Sequence, residues 1–132
     1  MGGENTFDIL EGRRYMRLTT YRRSGEGVPT PVWFARVGGR LVVVTDSESG
    51  KAKRIRNNPR VMLAPSDFRG RPRGGSVEAM ARIMDGREGE SADRALLQKY
   101  GWQYRIFNQV IRWQGASDRR VFLEISPVSD ER

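Results

Sequence analysis

A strand-to-helix junction at residues 45–61, TDSESGKAKRIRNNPRV, contains the side chains best suited to bind an anion. An apolar run ends at Thr45, a second hydroxyl follows at Ser49, and Gly50 lets the backbone approach a ligand at the start of a polar helix. Free backbone N–H groups at a helix start attract anions, and hydroxyls and cations add donors. We therefore expect a phosphate to bind here, with the cations of the first helical turn as its main partners: Lys51, Lys53 and Arg54.

Two other interpretations of the junction compete with a phosphate site. A nucleotide P-loop requires a glycine five residues before Gly-Lys and then Ser or Thr. The first position here is Thr45, and Ala52 follows Lys51, so the P-loop pattern is not met. A capped surface helix with solvated cations explains the local sequence equally well.

The segment VPTPVWFARV at residues 28–37 predicts a strand that is apolar on both faces. Pro29 and Pro31 are two residues apart, so the missing N–H groups lie on one side of the strand, and proline is confined to sheet edges and bulges for that reason. An apolar edge must be covered, and a partner subunit or a flat ring system would serve. Ordinary barrel packing is the preferred alternative for Val32 and Phe34.

The chain has 132 residues and contains neither histidine nor cysteine. These absences exclude Ser-His-Asp triads, imidazole bases, thiol nucleophiles, disulfides and the usual zinc and iron–sulfur sites. No metal site and no catalytic residue are predicted. Any reaction must use tyrosine, lysine, arginine, carboxylates, backbone groups or a bound cofactor.

Positive charge is concentrated in two parts of the chain. The formal net charge is +8, residues 51–73 hold eight basic residues against Asp67, and residues 13–23 hold five without an acid. Such a surplus indicates an anionic partner, for which nucleic acid, an acidic membrane and a phosphorylated cofactor all qualify. A solvated basic surface is the alternative.

The remaining pattern predicts one mainly β domain over residues 1–132. Strands are expected at 15–22, 28–37, 40–45, 61–64, 77–84 and 119–126, with short helices at 5–11 and 47–58. A loop is expected at 86–89, a helix at 91–100 capped by Ser91, and another at 104–113. Tight turns between strands favour antiparallel pairing, and six such strands favour a small barrel.

Four motifs, in this order, resemble the split β-barrel flavin and deazaflavin oxidoreductases, the superfamily of pyridoxamine 5′-phosphate oxidase. They are YMRLTTYRRSGEGVPTPVWFARVGGRLVVVT, SGKAKRIRNNPRVMLAP, LLQKYGW and VFLEISP, and they look like the subgroup that binds coenzyme F-420. The resemblance implies a six-stranded antiparallel split barrel and a homodimer with the cofactor at the subunit interface.

The resemblance also implies roles for particular residues. Basic residues of the helix motif would hold the phosphate, with hydroxyls as further donors: Lys51, Lys53, Arg54, Ser49 and Thr45. The strand residues Thr30, Pro31, Val32 and Trp33 would lie along the ring. The pyridoxamine oxidases have a C-terminal Arg/His signature, and its absence here argues against vitamin B6 oxidation.

The leading hypothesis is an F-420-dependent oxidoreductase acting on a small organic substrate. F-420 carries a phosphate and an acidic oligoglutamate tail, and the charge on residues 51–73 exceeds what the single phosphate of FMN needs. An FMN-binding relative, a cofactor carrier without turnover and a basic nucleic-acid-binding barrel stay open as alternatives. The first ten residues lack a signal peptide pattern, and the longest apolar run, 41–44, is far too short to span a membrane, so we expect a cytoplasmic protein.

Overall fold

The computed structural model describes residues 6–113 and 120–128. This part of the chain contains seven strands, β1 Tyr15–Tyr21, β2 Gly27–Val32, β3 Ala35–Val37, β4 Arg40–Asp46, β5 Arg60–Ser66, β6 Val77–Ile83 and β7 Arg120–Pro127. It also contains a 3₁₀ helix, Thr6–Leu10, and three α-helices, α1 Gly50–Asn57, α2 Gly86–Tyr100 and α3 Trp102–Trp113.

The strands form one antiparallel sheet in the order β2-β1-β5-β6-β7-β4-β3. Its two end strands, β2 and β3, are separated along the chain by only Trp33 and Phe34. The sheet must therefore curl until its ends approach each other, which makes it a half-barrel. This confirms the predicted antiparallel split-barrel class. It also confirms that the prolines at 29 and 31 lie on an edge strand.

The segment 28–37 forms two strands rather than one, so the count is seven instead of six. The chain crosses from one sheet edge to the other at Trp33 and Phe34, and no single strand can pair with both edges. We call these two residues the crossover.

Two apolar clusters lie on opposite faces of the sheet. Inside the half-barrel, alternate residues of β1 such as Met16 and Leu18 pack with Ile55 of α1. The predicted buried stripe of α1, Ala52 and Ile55, is confirmed. Outside, α2 and α3 cover β4 and β7 through Leu96, Tyr104 and their neighbours.

The sequence-based interpretation of residues 86–91 was wrong. Residues 86–89 are the first turn of α2 rather than a loop, and Asp85 caps the helix instead of Ser91. The Asp85 carboxylate accepts the Glu88 N–H at 2.8 Å, and the Glu88 carboxylate accepts the Asp85 N–H at 2.9 Å. This reciprocal capping box starts a helix even though glycines follow it. Arg119, predicted to begin the last strand, lies outside the described residues, as does residue 5 of the first helix.

Gly89 allows α2 to approach β7 closely, which yields a test of the fold. A Cβ at this buried position would lie 2.9 Å from Cδ2 of the Phe122 ring. We expect Gly89→Ala to lower the free energy of unfolding by about 1–3 kcal/mol through overpacking, measured by urea denaturation. Gly86→Ala, in the same helix with open space around it, is the matched control and should not destabilise the protein. Equal stabilities of the two variants would contradict this packing.

No helix in the described ranges is both long and apolar enough to cross a membrane.

Candidate functional site

A cavity of about 610 Å³ lies where β2, the crossover, β4 and the start of α1 converge. This volume is within the range of small-molecule and cofactor sites. We call it the main cavity. Its lining comes from eight parts of the fold: Tyr15, Pro31, Val32, Trp33, Val44, Thr45, Asp46, Ser49, Lys51, Phe68, Phe107 and Arg120.

One end of the main cavity presents hydroxyl groups at the start of α1. Ser49 is the N-cap, and its Oγ accepts the backbone N–H of Ala52 at 3.2 Å. The same oxygen lies 3.1 Å from Oγ1 of Thr45 at the end of β4. The two hydroxyls therefore orient each other beside the positive end of the helix dipole, and one hydroxyl hydrogen remains adjustable toward a ligand.

Lys51 is the cation of this end of the cavity. Its side chain is half-buried and takes part in no ion pair or hydrogen bond within the described residues. Desolvation by burial lowers the pKa of the Lys51 ammonium, and the positive charge of Arg54 lowers it further. A half-buried cation without an acidic partner is costly, and an anion in the cavity would relieve that cost.

Aromatic rings form another wall. The Trp33 ring stacks on Tyr100 with centroids 4.5 Å apart and 11° between planes, and lies 5.6 Å from Phe107. The Tyr100 hydroxyl bonds the backbone on both sides: it lies 2.7 Å from the Arg14 carbonyl oxygen and accepts the Phe34 N–H at 3.0 Å. Tyr100 thus fixes the crossover, so Trp33 presents a rigid flat surface to the cavity.

Arg120 of β7 is held in place where it lines the main cavity. Its Nη1 donates to Asn108 Oδ1 at 2.6 Å and lies 3.4 Å from Asp93 Oδ1, and its guanidinium lies over the Phe122 ring. The Tyr104 hydroxyl donates to the same Asp93 oxygen at 2.5 Å. Burial, then the hydrogen bond and charge of Asp93, raise the pKa of Tyr104, so it stays a donor.

The structure brings six of the ten sequence-predicted site residues together in the main cavity: Pro31, Val32, Trp33, Thr45, Ser49 and Lys51. The other four do not line it: Thr30, Gly50, Lys53 and Arg54.

Each of those four has a distinct environment. Lys53 is exposed and does not line the main cavity. Arg54 donates from Nε to the buried Thr20 hydroxyl at 2.6 Å, and its Nη1 lies 2.7 Å from where a Gly50 Cβ would stand. Gly50 is therefore covered by a guanidinium. The Thr30 hydroxyl oxygen is buried without a hydrogen-bond partner in the described ranges.

The other six lining residues were not predicted from the sequence: Tyr15, Val44, Asp46, Phe68, Phe107 and Arg120. These residues are distant from one another along the chain. Strand pairing brings some of them together, because Asp46 of β4 lies opposite Arg120 of β7. Among the described residues, no cluster of carboxylates could hold a metal ion.

The chemistry of the main cavity fits a phosphorylated planar cofactor. A half-buried lysine without an acidic partner and two hydroxyls at a helix start suit a phosphate, while Pro31, Val32 and Trp33 offer an apolar bed for a ring. The cavity also contains one fixed guanidinium, Arg120, that can donate to an electron-rich group.

Comparisons with known proteins agree with this architecture. The solved structures that share the fold include a conserved hypothetical protein from Mycobacterium tuberculosis, which is 22% identical, with 92% of this chain and 77% of that one covered and a TM-score of 0.68. They also include the heme storage protein HutZ from Vibrio cholerae, at 13% identity, with 91% of this chain and 85% of that one covered and a TM-score of 0.67. An F420 reductase is 20% identical, with 95% of this chain and 94% of that one covered and a TM-score of 0.59. No curated protein matched the chain.

The pyridoxamine 5′-phosphate oxidase family model matches residues 3–128, nearly the whole sequence. That span includes both the proline-containing edge strand and the junction at Ser49–Lys51, which meet in the main cavity. The chain therefore belongs to the pyridoxamine 5′-phosphate oxidase family.

Proposed function

We propose that this protein is an oxidoreductase that binds coenzyme F-420 in the main cavity and acts on a small organic substrate. The supporting observation is the convergence of Pro31–Trp33 with Thr45, Ser49 and Lys51 on one cavity of about 610 Å³. These two segments are the ones that resemble the F-420-dependent subgroup. One of the structures sharing the fold is an F420 reductase, and at 20% identity this similarity supports only a shared fold.

The bound deazaflavin would supply the hydride chemistry, and the protein would bind it, orient it and exclude water. Lys51, with Ser49 and Thr45, would hold the phosphate through charge-assisted hydrogen bonds. Trp33, backed by Tyr100, would limit the ring to one plane. Arg120 would donate hydrogen bonds to an electron-rich substrate group.

FMN is the main alternative cofactor, because the phosphate and ring contacts would serve both molecules. The arginines beyond the first turn of α1 favour the more acidic F-420, since residues 51–73 carry a net +7. Heme is disfavoured because a chain without histidine or cysteine lacks two of the usual axial ligands.

Turnover distinguishes an enzyme from a cofactor carrier. We expect the purified protein to oxidise reduced F-420 in the presence of an activated alkene. The return of the oxidised cofactor's absorbance measures this reaction. Tight binding without turnover across a panel of alkenes, nitro compounds and quinones would support a carrier. A yellow protein that retains FMN on purification would support the alternative cofactor.

The pKa of Lys51 predicts how cofactor affinity depends on pH. The pKa is lowered in the free protein, and a bound phosphate would raise it. Affinity should therefore be full below the pKa of the free protein and fall, by up to about tenfold per pH unit, as pH rises toward the pKa of the complex. Calorimetric titrations from pH 7 to 10 measure this. The alkaline decline should disappear in Lys51→Ala, and an identical decline in that variant would contradict the assignment.

We also propose that two copies of the chain assemble so that the partner covers the β2 edge. β2 is an edge strand of the sheet that the described strands form, and its exposed Pro31 forms part of the main cavity wall. Light scattering during size-exclusion chromatography should give about 30 kDa, twice the 15.1 kDa of one chain. A mass of one chain at micromolar concentration would contradict this assembly.

A further inference from the structure

Helix α3 has a second apolar face that no described residue covers. Three of its side chains are large, apolar and exposed: Trp102 at 68%, Ile106 at 52% and Val110 at 47%. They follow one another at intervals of four residues, so they lie on one face of the helix over a length of about 12 Å. We call this face the apolar stripe.

The apolar stripe is separate from the face that α3 packs on the sheet. The packed face contains Tyr104, which is buried, and Phe107, which contacts the outer apolar cluster. No residue of the stripe lines the main cavity. Among the described residues six large apolar side chains are exposed, and half of them lie on this one helix. Exposed apolar side chains that cluster in this way mark interaction surfaces, whereas scattered ones need no explanation.

Arginines border the apolar stripe. The sequence of α3 contains Arg105 and Arg112 and no acidic residue. Arg105 is exposed, and Arg14 donates to the side-chain oxygen of Gln103, which holds a second guanidinium beside the first turn of α3. Neither Arg14 nor Arg105 takes part in an ion pair among the described residues. The stripe therefore offers apolar side chains next to positive charge that no carboxylate neutralises.

We propose that the apolar stripe docks on an anionic lipid surface, with α3 lying parallel to the plane of the membrane. A helix of this kind buries its apolar face at the boundary between headgroups and acyl chains, while its arginines contact the anionic headgroups. The indole of Trp102 suits that boundary because it combines a large apolar ring with one N–H donor. The proposal uses no residue of the main cavity, so it stands independently of the cofactor proposal.

A lipid surface fits the stripe better than a soluble protein does. Each side of a stable protein interface buries about 800 Å², far more than three side chains expose. A membrane surface needs no complementary shape, and each arginine near it adds electrostatic attraction. A second copy of the chain is the main alternative occupant, and the oligomeric state of stripe variants separates the two.

Sedimentation with vesicles tests the proposal, using the full-length protein without cofactor. On vesicles of phosphatidylglycerol and phosphatidylcholine in equal parts, we expect saturable binding that decreases as salt is added. Binding to phosphatidylcholine alone should be about tenfold weaker or less. On the anionic vesicles, Trp102→Ala/Ile106→Ala should bind about tenfold more weakly than wild type, and Arg105→Gln about three- to fivefold more weakly.

Two variants are matched controls for these changes. Val37→Ala shortens an exposed apolar side chain that lies on β3 instead of α3. Arg60→Gln removes a positive charge on β5 that already pairs with Glu78. Both should bind anionic vesicles within about twofold of wild type. Losses as large as those of the α3 variants would mean that diffuse charge and hydrophobicity bind the lipid, which would overturn the proposal.

Fluorescence and light scattering identify what covers the stripe. Tryptophan emission should shift to shorter wavelength on anionic vesicles, and Trp102→Ala should lose most of that shift. Without vesicles, wild type and Trp102→Ala/Ile106→Ala should have the same mass and similar melting temperatures, since the side chains are exposed. A mass that falls from two chains to one in the double variant would assign the stripe to an interface between copies and overturn the lipid proposal. Equal binding of the folded double variant and wild type, or equal binding to anionic and neutral vesicles, would also overturn it.

Discussion

Lys51→Ala is expected to weaken cofactor binding by about 1.5–3 kcal/mol, or roughly 10- to 150-fold in Kd. Lys51 is the half-buried cation of the main cavity and has no ion pair in the described ranges. Its loss would remove a charge-assisted hydrogen bond to the phosphate and leave the two hydroxyls as the remaining donors. Fluorescence titration of the cofactor into each variant measures the change.

Lys53→Ala is the matched control for this experiment. It removes the same charge from the same helix, two residues away, but its side chain is exposed and does not line the main cavity. We expect its affinity to stay within about twofold of wild type, as for other exposed charges. Comparable losses in the two variants would mean that diffuse charge rather than the cavity lysine binds the cofactor.

Tyr100→Ala is expected to lower the free energy of unfolding by about 3–5 kcal/mol. Tyr100 is buried, stacks on Trp33 and bonds the backbone at Arg14 and Phe34. The variant loses this packing and leaves the buried Phe34 N–H without its hydrogen-bond acceptor. Because Trp33 loses the ring behind it, cofactor affinity should also fall in protein that is still folded. Urea denaturation and cofactor titration measure the two effects.

Two further variants separate the contributions of Tyr100. Tyr100→Phe keeps the ring stack and removes the hydroxyl, so a loss of about 1–3 kcal/mol is expected. Trp102→Ala truncates a larger aromatic that is 68% exposed at the start of α3, and its effect should be within about 0.5 kcal/mol. If Tyr100→Ala were no more damaging than Trp102→Ala, the crossover would not depend on the tyrosine.

Much of the fold could be predicted from the sequence. The alternation of apolar and polar residues indicates which side chains are buried, and the position of prolines indicates an edge strand. The edge position of β2 follows from Pro29 and Pro31, and the buried stripe of α1 follows from Ala52 and Ile55. The break at Trp33 could not be predicted, since closing the sheet is a property of its two ends and not of the local segment. The start of α2 was predicted as a loop because it contains Gly86 and Gly89. The capping pair of Asp85 and Glu88 is the stronger signal, and it starts the helix at Gly86.

The candidate site was predictable only where it is local. Thr45, Ser49 and Lys51 lie within seven residues, so a helix start could be inferred to gather them. Arg120 and Phe107 enter the main cavity through the sheet register and the docking of α3, which no short motif encodes. Conversely, Lys53 and Arg54 were predicted as phosphate partners after Lys51, and only the folded structure shows that neither lines the main cavity.

Titration of the wild-type protein with F-420 and with FMN tests the central claim most directly. The account predicts saturable binding of F-420 at micromolar concentration, tighter than that of FMN, and reduced at least tenfold in Lys51→Ala but not in Lys53→Ala. Binding of neither cofactor at micromolar concentration, by protein shown to be folded, would contradict it.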